Sequence, residues 1–217
     1  MSAQAPELTA QLPSEQTRIF LLSPADCSGK RARLLQSPDA DHDLARRLSG
    51  PLGAPLGEIF SFVSSLYFRG KLAYARAFAR PPRGHAGVHV ITACDGLSQP
   101  ESLLGLEDLR RYAGVPIDSD EERYRQPLLR DLQALAPAWG QSEVVLLGSI
   151  ASHKYTDLLT AVLGARLFFP ADFVGRGDMS RGGLMLRCAQ EGRELRYVPL
   201  LGAERRGSRP PRLPPLA

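Results

Sequence analysis

The stretch SEVVLLGSI, residues 142–150, decides the fold class, because its apolar run leaves no polar face. A strand with one face in water alternates apolar and polar residues, whereas a strand covered on both sides is apolar throughout. Parallel sheets with helices on both faces are built from such strands. SEVVLLGSI therefore predicts a central strand of an α/β domain.

Other segments alternate between strand and helix patterns around this strand. Five further apolar runs predict strands: TRIFLLS (17–23), GVHVITA (87–93), ARLFFPA (165–171), GLMLRCA (183–189) and ELRYVPL (194–200). Four segments with helical spacing predict helices: DADHDLARRLSG (39–50), residues 57–79 as one kinked helix or two helices meeting at Gly70, SDEERYRQPLLRDLQALA (119–136) and HKYTDLLTAVLG (153–164). Alternation of this kind predicts one α/β domain with a mixed, centrally parallel sheet covered by helices on both faces.

The ends of the chain differ from this domain in composition. Residues 1–16 are polar and predict a flexible lead-in, residues 17–203 the domain, and residues 204–217 a disordered basic Pro-rich tail. The lead-in has no apolar core typical of a signal peptide, and no run reaches the length of a membrane span. We therefore expect a cytoplasmic protein that does not engage a membrane.

Composition and residue spacing argue against nucleic-acid binding through bulk charge, against a disulfide framework and against a metal site. The chain is 43% hydrophobic and 23% charged, with a formal charge of +4. Four arginines against one glutamate in residues 204–217 supply most of that charge, so bulk charge of the domain does not argue for nucleic-acid binding. Pro211 and Pro214 have PxxP spacing, so a partner that binds such peptides is an alternative. The three cysteines form no CxxC and the histidines no metal-ligand spacing, so we expect no disulfide framework, metal or cofactor.

The glycine-rich segment GRGDMSRGG, residues 175–183, carries the first candidate site. Its glycines permit positive φ, and successive backbone N–H groups in such a loop bind anions. Arg176 and Arg181 add forked donors suited to phosphate or carboxylate, and Ser180 adds a hydroxyl. The alternative is a surface turn whose arginines pair with Asp172 and Asp178.

A second candidate site follows the strand SEVVLLGSI. Ser152, Lys154 and Tyr155 precede a predicted helix, whose first N–H groups would face an anion. His153 is the ordinary titrating group near neutral pH. The alternative is that Ser152 caps the helix, Tyr155 packs, and the other two side chains are solvated.

The ends of the first two predicted strands carry the remaining candidates. Ser23 and Lys30 follow the first strand and are candidates for phosphate binding, although Lys30 also suits the solvated start of a helix. Asp95 follows the second strand and is a candidate acid or base, or simply part of an Asp-Gly turn. Asp178 and His153 are the other candidate acid–base groups. Cys27 and Cys94 are more typical of small residues in tight turns than of nucleophiles.

Six motifs, in order, resemble those of the YaaA family of bacterial peroxide-stress proteins. They are FLLSPAD (20–26), FRGKLAYA (68–75), ITACDGLSQPESLLGLEDLR (91–110), RYRQPLLRDL (123–132), GSIASHKYTDLL (148–159) and GRGDMSRGGLMLR (175–187). The chain departs from the family where Asp26 replaces the lysine of the SPAK turn, and where residues 48–59 stand for a longer helix-hairpin-helix region. The resemblance implies an intracellular α/β protein linked to oxidative stress and DNA binding.

Two functions follow as hypotheses. In the first, the sheet rim binds DNA or another phosphate-bearing ligand in the peroxide-stress response. In the second, the same rim is the pocket of an enzyme that acts on a small anionic nucleotide- or nucleoside-like substrate by acid–base chemistry, in the manner of a hydrolase or glycosidase.

Overall fold

A computed structural model gives the structure of residues 16–211. The strands are β1 (Arg18–Leu22), β2 (Ala54–Pro55), β3 (Val88–Ile91), β4 (Leu97–Ser98), β5 (Leu103–Leu104), β6 (Glu143–Leu147), β7 (Leu167–Pro170) and β8 (Tyr197–Pro199). The α-helices are α1 (Lys30–Gln36), α2 (Asp43–Ser49), α3 (Leu56–Val63), α4 (Ser65–Phe78), α5 (Leu106–Ala113), α6 (Glu122–Leu135), α7 (Thr156–Leu163) and α8 (Asp178–Glu191). The predicted lead-in, apart from residue 16, and the end of the predicted tail lie outside the described residues.

Six strands form one mixed sheet in the order β4-β3-β1-β6-β7-β8. The four central strands are parallel, and the two edge strands, β4 and β8, run antiparallel to their neighbours. Every residue of β1 is buried, and so are the last four residues of β6, as an all-apolar strand predicts. The predicted α/β fold with a centrally parallel sheet is confirmed.

The chain changes direction across the sheet at β1. From β1 it crosses to β3 on one side, and from β3 it returns past β1 to β6 and β7 on the other. Since such crossovers are right-handed, α4 lies on one face and α6 and α7 on the opposite face. Helix α8 packs on α4, and α6 contacts α7. The loops that follow β1 and β6 therefore diverge at a topological switch point, where α/β sheets open a crevice.

Two glycines allow α4 and α8 to cross closely. A Cβ atom on Gly182 would lie 2.6 Å from the carbonyl oxygen of Leu66, and one on Gly70 would collide with the backbone of Gly182. Gly70 is therefore a packing residue inside α4, and the predicted helix junction there is wrong. The junction lies between α3 and α4 instead, where Ser65 has a φ of 50°.

The prediction of a strand at residues 183–189 is also wrong, because these residues belong to α8. The buried residues Arg181, Leu184, Met185 and Cys188 have helical spacing, which a short apolar run does not distinguish from a strand. The other predicted strands and helices are present with shifted ends. Helix α5 and the short strands β2, β4 and β5 were not predicted, and α1 begins at Lys30, as the helix-start alternative for that residue has it.

The described part of the basic tail contacts the domain. The guanidinium Nη1 of Arg205 lies 3.0 Å from Nδ1 of His153, and its Nη2 lies 3.5 Å from the Asp157 carboxylate. Residues 204–211 form neither helix nor strand. Among residues 16–211, no helix combines the length and apolar character that crossing a membrane requires.

Candidate ligand-binding cavity at the switch point

A cavity of about 290 Å³, lined by both polar and apolar side chains, opens at the switch point between the ends of β1 and β6. Its walls come from the loops after both strands, the α3–α4 junction, α4, the segment after α5, and the start of α8. They comprise Ser23, Pro24, Asp26, Ser64, Tyr67, Ile117, Ser149, Ser152, Lys154, Tyr155 and Asp178. The structure thus brings together four of the predicted ligand-binding residues, Ser23, Ser152, Lys154 and Tyr155, with the predicted acid–base residue Asp178.

A buried lysine lies behind the Ser23 wall of this cavity. Lys71, on α4, is fully buried, and its Nζ donates to the Ser23 carbonyl oxygen at 2.7 Å. The same Nζ lies 2.9 Å from Ser23 Oγ, and 4.4 and 4.9 Å from the ring centroids of Tyr67 and Phe68. Burial lowers the pKa of Lys71 to about 7, and the negative charge of Asp178 opposes that shift only partly.

The side chains of Tyr155 and Ser23 both lie close to Gly148. A Cβ on Gly148 would lie 2.8 Å from Ser23 Cβ, 2.9 Å from the Tyr155 hydroxyl and 3.1 Å from Ser23 Oγ. The Tyr155 hydroxyl donates to the Ser149 carbonyl at 2.7 Å, and burial raises the pKa of Tyr155 to about 12. Gly148, directly after β6, is thus the position that lets the two cavity side chains approach.

Arg181 supports the cavity from inside the protein. Its guanidinium donates to the Phe173 carbonyl at 3.2 and 3.1 Å and pairs with Asp178 at 3.1 Å. The neighbouring Tyr67 hydroxyl is buried and has no hydrogen-bond partner among residues 16–211. Burial raises the pKa of Tyr67, and the Arg181 charge lowers it by less. Arg181 therefore positions Asp178 and the start of α8 and does not line the cavity.

Lys154 is the exposed cation of the cavity mouth. Within residues 16–211 its ammonium makes no ion pair, and it lines both this cavity and a neighbouring hollow of about 410 Å³. The two spaces also share Asp26 and Ile117. Lys154 is thus available to an anion from either side.

The other predicted phosphate-binding residues do not reach the cavity. Arg176 donates to the Asp172 carbonyl at 3.0 Å, to Ser180 Oγ at 3.3 Å and to the Pro211 carbonyl at 3.5 Å, which ties the end of the described chain to α8. Lys30 is exposed at the start of α1 and is absent from the cavity walls. The arginines of residues 175–183 thus hold the protein's own backbone and carboxylates.

The expected anion-binding loop of glycines does not form. Of the four glycines in residues 175–183, only Gly175 has a positive φ, and a Cβ there would collide with the Ser208 carbonyl. Gly182 and Gly183 lie inside α8. The segment is therefore a turn and a helix start, which corrects the prediction.

Two predicted acid–base residues lie elsewhere. His153 is exposed, and its Nδ1 lies 2.8 Å from the Asp157 carboxylate. Asp95 accepts hydrogen bonds from both terminal nitrogens of Arg111 and, at 2.8 Å, from the Tyr112 hydroxyl. The bonds from Arg111 hold the pKa of Asp95 below its ordinary value. Asp95 is thus a fixed, ionised partner in an ion pair.

The cysteines are placed as small turn and core residues. Cys27 is buried, and burial raises the pKa of its thiol to about 12, which suppresses the thiolate. Burial also raises the pKa of the Cys94 and Cys188 thiols. In residues 16–211, no three His, Cys, Asp or Glu side chains cluster as they would around a metal ion.

Four further residues of the site, Lys71, Tyr67, Ser64 and Ser149, were not predicted from the sequence. One signal was present for Lys71, which lies four residues after Tyr67 and four before Ala75, on the apolar side of α4. Because residues four apart lie on the same face of a helix, this spacing places Lys71 on the buried face of α4 together with Tyr67 and Ala75. The serines gave no such signal, because they reach the cavity only through the strand order.

Comparisons of the chain with protein-family models, with curated proteins and with solved structures found no match. The resemblance to the YaaA family therefore rests on the six sequence motifs.

Proposed function

We propose that this protein binds a small phosphate- or carboxylate-bearing ligand in the switch-point cavity. The observation that carries the proposal is that Ser23, from the loop after β1, and Ser152, Lys154 and Tyr155, from the loop after β6, line one cavity. A crevice at the carboxyl ends of strands β1 and β6 is where α/β sheets bind ligands. The exposed Lys154 supplies the positive charge, and the serine hydroxyls supply directional hydrogen bonds.

The size of the cavity favours a small ligand over a DNA duplex. A volume of about 290 Å³ is at the lower end of small-molecule sites and admits a nucleotide or a part of one. Arg176 and Arg181 would strengthen binding of a nucleic-acid backbone, but they donate hydrogen bonds to backbone carbonyls of the protein instead. A phosphate from a free nucleotide and one from DNA have the same chemistry, so the test must separate the two sources.

The resemblance to the YaaA family supports a biological setting, the peroxide-stress response in the cytoplasm. Production of the protein in a bacterium that lacks its own YaaA protein tests this setting. We expect improved growth in hydrogen peroxide with the wild-type chain and no improvement with Lys154→Ala. Equal growth with the two chains would contradict the link between the cavity and this response.

Thermal unfolding of the full chain tests ligand binding itself. The probes are inorganic phosphate, AMP, and 12-nucleotide single- and double-stranded DNA, each at low and high salt. A ligand at a hundred times its Kd stabilises the folded state by about 2.7 kcal/mol, which raises the Tm by several degrees. We expect AMP to raise the Tm of wild type and of Lys30→Ala, but much less that of Lys154→Ala.

The salt dependence separates the sources of phosphate. A DNA effect that high salt removes, without any effect of AMP, would assign the cavity mouth to a nucleic-acid backbone. Equal Tm values with and without every probe would contradict the proposal.

A further inference from the structure

The contact between Lys71 and Ser23 has a geometry that ligand binding alone does not require. Ser23 lines the cavity, and its Oγ lies 2.9 Å from a lysine nitrogen with no access to solvent. Within residues 16–211 no carboxylate lies within 4.0 Å of that nitrogen. The nitrogen contacts Ser23 O, Ser23 Oγ and two aromatic rings. A structural lysine at this depth would ordinarily be paired with an acid.

We propose that Ser23 is a nucleophile and Lys71 its general base, and that the cavity hydrolyses a small ester or amide bearing an anionic group. The anionic group binds at Lys154, so this inference rests on the proposed function. Serine and lysine form such a pair in acyl transfer on several unrelated folds.

The reaction balances with water as the only co-substrate. Ser23 Oγ forms a bond to the acyl carbon and gives its proton to the neutral amine of Lys71. The tetrahedral intermediate collapses, the bond to the leaving group breaks, and Lys71 returns the proton to the departing alcohol or amine. Water then attacks the acyl carbon, and its proton passes to Lys71. The second tetrahedral intermediate collapses, the bond between the acyl carbon and Ser23 Oγ breaks, and Lys71 returns that proton to Ser23 Oγ. The products are a carboxylic acid and an alcohol or amine.

The surroundings of Lys71 keep its amine able to accept a proton. Burial lowers its pKa to about 7, so a large share is neutral at physiological pH. The charged and titratable groups facing it are Tyr67 on its own helix and Asp178, which pairs with Arg181, on α8. Tyr155 approaches from the start of α7 on the far side of Ser23. Asp178, the Ser23 carbonyl oxygen and the two ring faces favour the ammonium, but the effect of burial outweighs theirs.

Covalent labelling of the intact full chain by a small alkyl fluorophosphonate tests the pair. Ser23 Oγ forms a bond to phosphorus, fluoride leaves, and intact mass with peptide mapping locates the adduct. We expect one adduct at Ser23, formed about tenfold faster at pH 8 than at pH 6, as for a base that titrates near pH 7. Lys71→Met should slow labelling by about a hundredfold or more, and Ser23→Ala should abolish it.

Two controls keep the result specific. Ser49→Ala and Lys30→Met change exposed residues outside the cavity and should label like wild type. Circular dichroism shows whether Lys71→Met folds. If it does not, the ratio of the wild-type labelling rates at pH 8 and pH 6 tests the role of Lys71. Labelling absent from Ser23, or equally fast at pH 6 and pH 8, overturns the inference.

Protection by AMP separates this inference from the proposed function. Stabilisation by AMP without labelling of Ser23 retains the binding proposal and overturns the nucleophile. If Ser23 is labelled in a Lys71-dependent way but AMP neither stabilises the protein nor slows labelling, the Ser23–Lys71 pair is supported. The same result contradicts the proposed anion site. Labelling that AMP slows supports both.

Discussion

Adjacent strands β1 and β3 end in polar sites that differ in the partners of their titratable side chain. At the end of β3, the Asp95 carboxylate is paired with Arg111 and bonded to Tyr112. At the end of β1, the Lys71 amine contacts Ser23 and aromatic rings, with no acid in ion-pair range among the described residues. Pairing stabilises the charged form of Asp95, whereas burial stabilises the neutral form of Lys71.

The difference follows from strand order. β1 lies at the switch point, so the loops after β1 and β6 diverge and leave a cavity. β3 lies next to edge strand β4, and α5 places Arg111 and Tyr112 directly over its end. A polar residue at a strand end therefore forms a site here only where the topology leaves space beside it.

The largest expected loss of stability comes from disrupting the close crossing of α8 with α4, the helix that carries Lys71. Gly182→Ala should destabilise the protein by about 3 kcal/mol, because its Cβ would lie 2.6 Å from the Leu66 carbonyl at the α4–α8 crossing. Gly183→Ala is the matched control, since a Cβ there meets no atom within 4 Å. It should be neutral or stabilise by up to about 1 kcal/mol. Urea unfolding measures both, and equal stabilities would contradict the close crossing.

A second prediction concerns the pH dependence of stability at Lys71. The unfolded lysine keeps its proton up to about pH 10, whereas the folded one loses it near pH 7. The unfolded chain binds more protons in this window, so stability rises with pH by about 1 kcal/mol per pH unit. Subtraction of Lys71→Met stabilities from wild-type values between pH 6 and 9 isolates the effect. A difference that stays constant over this range would show that Lys71 remains charged.

A smaller effect is expected at Asp95, where the ion pair is half-exposed. Asp95→Asn should cost about 1 kcal/mol at pH 7. Because the folded pKa of Asp95 is lowered, its contribution is present above the unfolded value near 4 and is lost as pH falls through the folded pKa. Glu101→Gln, which removes a more exposed pair with Arg76, is the control and should cost less. A larger loss in Glu101→Gln would reverse the ranking.

The sequence predicted the elements that are determined locally. The apolar run of β6 and the periodic pattern of α6 identify strand and helix without tertiary information. The end of α7 at Gly164 was predicted for the same reason, since a glycine often terminates a helix. The nature of α8 was missed, because a short apolar run fits both periods.

The cavity was only partly predictable, because strand order determines which loops meet. Ser23 and Lys154 were predicted from their positions after apolar strands, but their meeting depends on β1 lying beside β6. The burial of Lys71 could have been predicted from its register in α4, but its contact with Ser23, 48 residues away, could not. Arg176 was predicted as a ligand residue, but it donates to the Asp172 carbonyl four residues away and to the Pro211 carbonyl, which is closer to the alternative of a surface turn.

An NMR titration of the lysine side chains measures whether the Lys71 amine beside Ser23 is neutral near physiological pH. The chain has only three lysines, Lys30, Lys71 and Lys154, so selective labelling and the Lys71→Met variant assign the Lys71 signal. We predict that the Lys71 Cε shift titrates with a midpoint near pH 7. A midpoint near 10.5, the ordinary value for lysine, would show that Lys71 stays charged and cannot act as the base for Ser23.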